Sequence, residues 1–408
     1  MSRIRYGIGP WALATPVRVK AFPTRPTVET ADVVVVGAGL TGIFTATALK
    51  QAGHDVVLLE AGRVGSGHSR AASGMTGLLV ASDFRTLAAA HGRRIARTLM
   101  STVAGATTAL ATGLARAKIP GAGDARVLLS LVEPGVKGWD RDVAARTAAG
   151  LTAATAVGAQ LAKATTAEAS AAIRLTGAGL TQPSRIVTGA ITRLSGARVK
   201  VFEKCGVTRI TFTRVDATVH IGPRKIVTPR VVICTDAPGA LAPTLDRHVR
   251  GFERYHVLTA PLSTAMRRAV GLGSMVLHDA QTNVSITATT DGRLLLTGGD
   301  GPLLAAKQRP AAHLQRTGQL MYECLKRFPA IVGLAPEFGW SSPVVAGPDR
   351  FPLVGPHRQY PHQLFSFGTD SDPALAWTAS RMLVRAVGGE AETADEAFGF
   401  GRVQEVRS

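Results

Sequence analysis

The sequence predicts an α/β fold in two units, and three features carry that prediction. A run of four valines, Val33–Val36, is followed at once by Gly37, Gly39 and Gly42 and then by a stretch of helical texture. Strand-like segments crowd the region from Arg254 to Thr297: YHVLTAPL, SMVLHDA, NVSITATT and RLLLTGG. A second strand read over Asp55 to Leu59, with Glu60 at its end, completes a strand-helix-strand unit around those glycines. Together they imply a Rossmann-like unit beside a second, mostly antiparallel sheet.

The first unit is the most explicit. A continuous β-branched run is what a parallel strand buried on both faces requires. Gly37 permits a tight turn, Gly39 lets backbone approach a pyrophosphate, and Gly42 lets a helix from about Leu40 to Ala52 lie close against the strand. Ile43, Phe44 and Leu49 give that helix its packing face, and Gly53 stops it in the left-handed conformation. A second strand is expected over Asp55 to Leu59, with Glu60 at its end. A carboxylate there accepts hydrogen bonds from both hydroxyls of a ribose and repels a 2′-phosphate, which disfavours NADP. The pyrophosphate would sit on the helix N-terminus, where unpaired N–H groups and the dipole favour an anion.

After Glu60 the chain reads AGRVGSGHSRAASG, in which Gly62, Gly65, Gly67 and Gly74 keep the backbone thin and Ser66, Ser69 and Ser73 offer hydroxyls. A protein built for NAD would pass directly into its next crossover helix. A second glycine-rich passage suits a longer cofactor, FAD, whose phosphates and ribityl chain need further backbone contacts.

Glu60-Ala61-Gly62 and the G-x-G-x-S of Gly65, Gly67 and Ser69 resemble the FAD-dependent oxidoreductases of the D-amino acid oxidase and glycine oxidase superfamily. Two later passages are similar to that family in the expected order: GARVKVFEKCGVTRITF with VTPRVVICTDAPGAL, and Trp340, DRFPLVG and FSFGTDSDPALAWTASRML. The resemblance runs from Ala31 to Gly389. It implies FAD as cofactor, contacted by Gly37, Ala38, Gly39, Leu40, Thr41, Gly42, Glu60, Ala61, Arg63, Gly67, His68, Ser69, Ser73, Gly74, Val207, Thr235, Gly368, Asp370, Asp372 and Pro373. It also implies hydride transfer to the flavin from a C–H bond beside nitrogen in a small amine or amino acid, with oxygen or another electron acceptor closing the cycle.

On this basis an N-terminal arm (residues 1–30) precedes FAD-binding segments at 31–83, 181–250 and 336–408. A helical cover is expected over 84–180, with helices from Arg94 to Ala117 and from Arg141 to Lys163, and the antiparallel substrate unit over 251–335. Asp291-Gly292 signals a hairpin, and a helix is expected from about Ala312 to Phe328. Prolines at 10, 16, 23 and 26 make the arm extended, packed along the first unit. Asp372-Pro373 reads as an N-cap and first helical residue, opening a helix to about Val387.

Two positions depart from the family pattern. Gly368-Thr369-Asp370-Ser371-Asp372 stands where many members carry a glycine-rich passage, placing acids near the ring. Val344 stands where amino acid oxidases of the family often carry a carboxylate-binding arginine, so Arg254 and Arg293 become the candidates for that task. His68, His256 and His278 are the histidines expected to face the ring, the alternative for each being a structural histidine satisfied by its neighbours. By strand alternation, at most one of Tyr255 and His256 lines the pocket.

Cys205, Cys234 and Cys324 are widely spaced, which argues against a disulfide framework or zinc site, and no metal is expected. The net charge of +19 comes mostly from scattered arginines and assigns no partner by itself. A flavin-dependent RNA-modification module and a non-catalytic FAD-bound subunit are the alternatives, with nucleic acid the less favoured partner. No apolar run has the length of a membrane helix and no secretory signal is evident, so the cytoplasm is the default compartment.

Overall fold

The computed structural model describes residues 4–11, 21–132, 136–156 and 171–403. Val33–Val36 lies inside a six-stranded sheet ordered Leu353–His357, Tyr360–Phe367, Arg230–Asp236, Val33–Val36, Val56–Leu59, Lys200–Phe202. All neighbours are parallel except Leu353–His357, which runs antiparallel to Tyr360–Phe367. The valine run serves both faces. Val33 and Val35 join the core beneath helices Leu40–Gln51, Pro183–Gly196 and Pro373–Gly388, while Val34 and Val36 join the core under a three-stranded meander, Arg209–Phe212, Ala217–Ile221 and Arg224–Thr228. Each valine so buried contributes roughly 1.5–3 kcal/mol relative to exposure.

The second sheet is larger. Its order is Arg5–Tyr6, Pro336–Ala346, Arg250–Thr259, Leu294–Gly301, Val284–Ala288, Met275–Asp279, Asp124–Val132, Ala171–Leu180, Met75–Thr76, with Ala153–Ala156 also on Ala171–Leu180. Most pairs are antiparallel; Arg5–Tyr6 with Phe338–Gly339, and Met275–Asp279 with Asp124–Val132, are parallel. Helix Arg309–Arg327 packs on one face through Leu320 and Cys324. The Asp291-Gly292 hairpin joins Val284–Ala288 to Leu294–Gly301 as expected, with Gly292 at φ +77°.

The middle of the chain departs from the all-helical expectation. Helices Phe84–His91, Arg93–Arg116 and Trp139–Ala148 form, but Asp124–Val132, Ala153–Ala156 and Ala171–Leu180 are strands that complete the large sheet. Pairing with neighbours outweighs the helix preference of their alanines. The helix expected from Arg141 to Lys163 stops at Ala148, because Gly150 turns left-handed at φ +72° and its N–H and that of Leu151 bond back to Thr147 and Arg146. Residues 157–163 of that stretch lie outside the described residues.

The arm is also divided between the units. Residues 21–30 follow the first unit, where the Phe22 N–H donates to Glu203, Pro23 accepts from the Glu203 N–H and Arg224 reaches the Pro26 carbonyl. Arg5–Tyr6 instead joins the large sheet, because Pro336–Ala346 offers it an open edge.

Candidate functional site: a dinucleotide groove above a polar cavity

A groove of about 750 Å³ runs along the carboxyl ends of the parallel strands. The sequence motifs converge on it: Gly37, Ala38, Gly39, Glu60, Ala61, Gly67, His68, Val207, Thr235 and Asp370 all line it. Gly37 turns at φ +98°, and a side chain there would strike the Cys234 carbonyl. A Cβ on Gly42 would overlap the Gly37 carbonyl, so helix and strand approach as the motif requires. Glu60 grips the turn, with one carboxylate oxygen accepting from the Ala38 N–H at 2.8 Å and the other from the Gly62 N–H at 2.7 Å. Thr41, Leu40 and Ser69 stand behind the glycines, where the Ser69 hydroxyl accepts from the Leu40 N–H at 3.0 Å.

Other glycines of this passage have different surroundings. Gly65 lies against Val187 and Ile191 of helix Pro183–Gly196, and Gly74, a predicted contact, lies against the Thr181 carbonyl just before that helix. Arg63 is exposed, and its carbonyl accepts from Ser66.

Acids dominate the phosphate end. Thr41 donates to Asp370 from both its N–H, at 3.3 Å, and its hydroxyl, at 2.8 Å. Asp236 receives the N–H groups of Gly368, Thr369 and Asp370 on a single oxygen at 3.0–3.2 Å, and its other oxygen lies 3.3 Å from Nδ1 of His68. That hydrogen bond holds His68 above its ordinary value against the pull of burial. Burial, with Asp236 alongside, pushes the Asp370 carboxyl well up.

Two adjoining cavities, both lined by Leu78, Leu79, Arg254, Thr297 and Arg350, lie beside the segment 368–372. Ser73, Gly368, Asp372 and Val344 also face the first. Asp372 caps helix Pro373–Gly388 as expected, accepting from Ala374 and Leu375, and it also accepts from Gly77 at 2.9 Å. Burial raises its carboxyl to about 6.

The roof of the cavity is a polar row across four neighbouring strands: His256, Thr297, Ser285 and His278 stand opposite one another in register. Nδ1 and Nε2 of His256 each lie 2.8 Å from a hydroxyl, Thr297 and Ser342. Burial, with Arg254 next, lowers His256 to about 3; burial lowers His278, bonded to Ser285, to about 4. Both rings are neutral. Tyr255 points to the opposite face, toward His313 and Arg316, in keeping with strand alternation.

Of the two arginine candidates, only Arg254 reaches the cavity. It forms a two-pronged pair with Asp300 at 2.8 and 2.9 Å, and Arg350 binds the same carboxylate at 3.0 Å. Although burial opposes its charge, Asp300 is held below the usual carboxylate range by these guanidiniums. Arg293 lies elsewhere, occupied by Glu337, Asp291 and the Thr259 carbonyl. Sequence reasoning missed Arg350, Asp300, Asp236 and Thr297. Arg350 had one local signal, its place directly after Asp349 in the DRFPLVG passage; the others are joined only by the sheet pairings.

The residues fit FAD best at its nucleoside end, where Glu60 closes the second strand and Ala61, Val207 and Thr235 wall the groove. At the phosphate end the seat on helix Leu40–Gln51 is built, and Asp370 reaches into it.

The family model described as FAD dependent oxidoreductase matches residues 32–385. No curated protein matches the chain by sequence. Among solved structures, glycine oxidase from Geobacillus kaustophilus superposes with a TM-score of 0.73 at 17% identity, covering 92% of this chain and 100% of its own. L-proline dehydrogenase from P. horikoshii gives 0.71 at 17%, covering 91% and 97%. L-amino acid deaminase from Proteus vulgaris, lacking its specific insertion sequence, gives 0.70 at 17%, covering 95% and 98%. At such identities the likenesses establish the fold, and the family match adds the class: the chain belongs to the FAD-dependent oxidoreductases of the D-amino acid oxidase family, whose cofactor is FAD.

Proposed function

We propose that the chain oxidises the C–H bond beside nitrogen in a small amino acid, with the substrate carboxylate turned toward Arg350 and Arg254. The observation that carries this reading is the convergence of two guanidiniums: Arg254 and Arg350 both face the cavity and share the carboxylate of Asp300. The planar, forked donors of arginine suit a substrate carboxylate. Arg350 is the more available of the two, half exposed and bound to Asp300 through one nitrogen.

Bound FAD supplies the two-electron acceptor for a hydride. The protein contributes position and environment. Neutral His256 holds the hydroxyls of Thr297 and Ser342 in place, and with neutral His278 it adds no charge near the substrate amine. Leu78, Leu79 and Phe252 give the cavity its apolar wall and keep water from the reacting carbon. The three similar structures above, a glycine oxidase, an L-proline dehydrogenase and an L-amino acid deaminase, support an amino acid as the substrate class.

The test is anaerobic mixing of the purified flavoprotein with a panel of D- and L-amino acids and the corresponding amines, following loss of the visible flavin bands. Amino acids should bleach the flavin, and Arg350→Ala should raise their KM more than it lowers kcat. Equal bleaching by amines in both proteins would remove the carboxylate from the proposal, and a protein that never acquires flavin bands would overturn it entirely.

A further inference from the structure

Resting on that FAD-dependent reading of the site, we propose that Asp370 is an internal occupant of the phosphate seat, a carboxyl group that must leave before the pyrophosphate of the cofactor can enter. The first helical N–H groups of Leu40–Gln51 are where a pyrophosphate binds in this architecture. Here they are already engaged: Leu40 by Ser69, Thr41 by Asp370, and Ala38 just before them by Glu60. The space beside Gly39, which that glycine leaves open for phosphate, is filled as well, since a Cβ built on Gly39 would overlap the Asp370 carboxylate.

The turn that delivers Asp370 is held firmly. Asp236, itself in the left-handed conformation at φ +64°, binds three successive N–H groups of Gly368, Thr369 and Asp370. The Thr369 hydroxyl links to those of Thr41 and Ser366, at 2.8 and 3.0 Å. His68 faces the pair from the other side of the groove, bonded to Asp236. The backbone of the turn is therefore fixed, and the movable part is the Asp370 side chain with its two bonds to Thr41.

Two consequences follow for the empty and loaded protein. Without cofactor, the helix terminus is satisfied internally, so the fold does not depend on FAD to cap it. With cofactor, the phosphates replace two hydrogen bonds to Asp370 and approach two carboxyl groups, which weakens and slows loading. The raised Asp370 carboxyl agrees with this, because a carboxyl kept partly neutral occupies an anion site beside Asp236 at less electrostatic cost.

The test uses the full chain stripped of flavin, as wild type, Asp370→Ser and Asp370→Asn. FAD, ADP and adenosine are titrated into each by calorimetry, and each is melted without ligand. Asp370→Ser should bind FAD and ADP roughly ten- to hundredfold tighter than wild type, the equivalent of one or two hydrogen bonds no longer in competition. Adenosine, which lacks phosphates, should bind all three alike, and ligand-free Asp370→Ser should melt below wild type. Asp370→Asn, which keeps the shape without the charge, should fall between them. FAD bound equally, or more weakly, by the variants would overturn the internal-occupant role while leaving the FAD-dependent function intact. FAD taken up by none of the three would overturn both.

Discussion

Nδ1 of His256 lies 2.8 Å from the hydroxyl of Thr297, its register partner on the adjacent strand. With Ser342 on its other nitrogen, the ring has one donor and one acceptor role to fill, which a neutral imidazole does and an imidazolium cannot do without turning a hydroxyl. Acid therefore works against the fold here. In the unfolded chain His256 and His278 protonate near 6.5, whereas in the folded protein they do so at about 3 and about 4. Between those limits the unfolded state binds more protons, so stability is full above pH 6.5 and falls as pH drops, by up to roughly 1.4 kcal/mol per pH unit for each group. Urea melts across this range should show a shallower acid slope for the His256→Gln, His278→Gln double variant; parallel curves would refute the assignment.

Gly39→Val tests the phosphate seat from the backbone side. Its branched side chain would occupy the space shared by Asp370 and the pyrophosphate, so the purified variant should carry no flavin. Undiminished flavin content would remove the groove from consideration as the cofactor site.

Glu60 separates two demands placed on one carboxylate. Glu60→Gln keeps an acceptor for one N–H and a hydrogen-bonding partner for a ribose, whereas Glu60→Arg loses both and reverses the charge. FAD affinity should fall in the order wild type, Gln, Arg. Equal dissociation constants for the two variants would argue against a ribose contact.

Asp372→Ala should lower stability by about 1–2 kcal/mol, the usual loss for a cap, because Ala374, Leu375 and Gly77 lose their acceptor together. Asn, a good cap itself, should recover most of it. An unchanged melting curve with altered flavin reduction would shift its role from the helix to the cofactor.

The legible parts of this fold were the local ones. Val33–Val36, the three glycines, Glu60 and the Asp372-Pro373 helix start each act through neighbours within a few residues, so spacing and turn chemistry revealed them. Asp124–Val132 and Ala171–Leu180 were hidden because their strand character comes from pairing with each other and with Met275–Asp279 and Ala153–Ala156, not from the segments themselves. The same holds for the site. Arg254 was named from its strand, yet its partner Asp300 and the second guanidinium of Arg350 meet it only through tertiary structure. The polar row of His256, Thr297, Ser285 and His278 is a property of register, which no single segment records.

The large sheet ends on both sides in strands of only two residues, Arg5–Tyr6 and Met75–Thr76. Short margins leave little open ladder for a foreign strand to join, a common defence against aggregation. Next inward from the first margin is the eleven-residue strand Pro336–Ala346, with Phe338 and Trp340 along it. The arm thus closes that ladder at Phe338 and Gly339, and trimming it would leave these two positions, beside Trp340, open to a foreign strand.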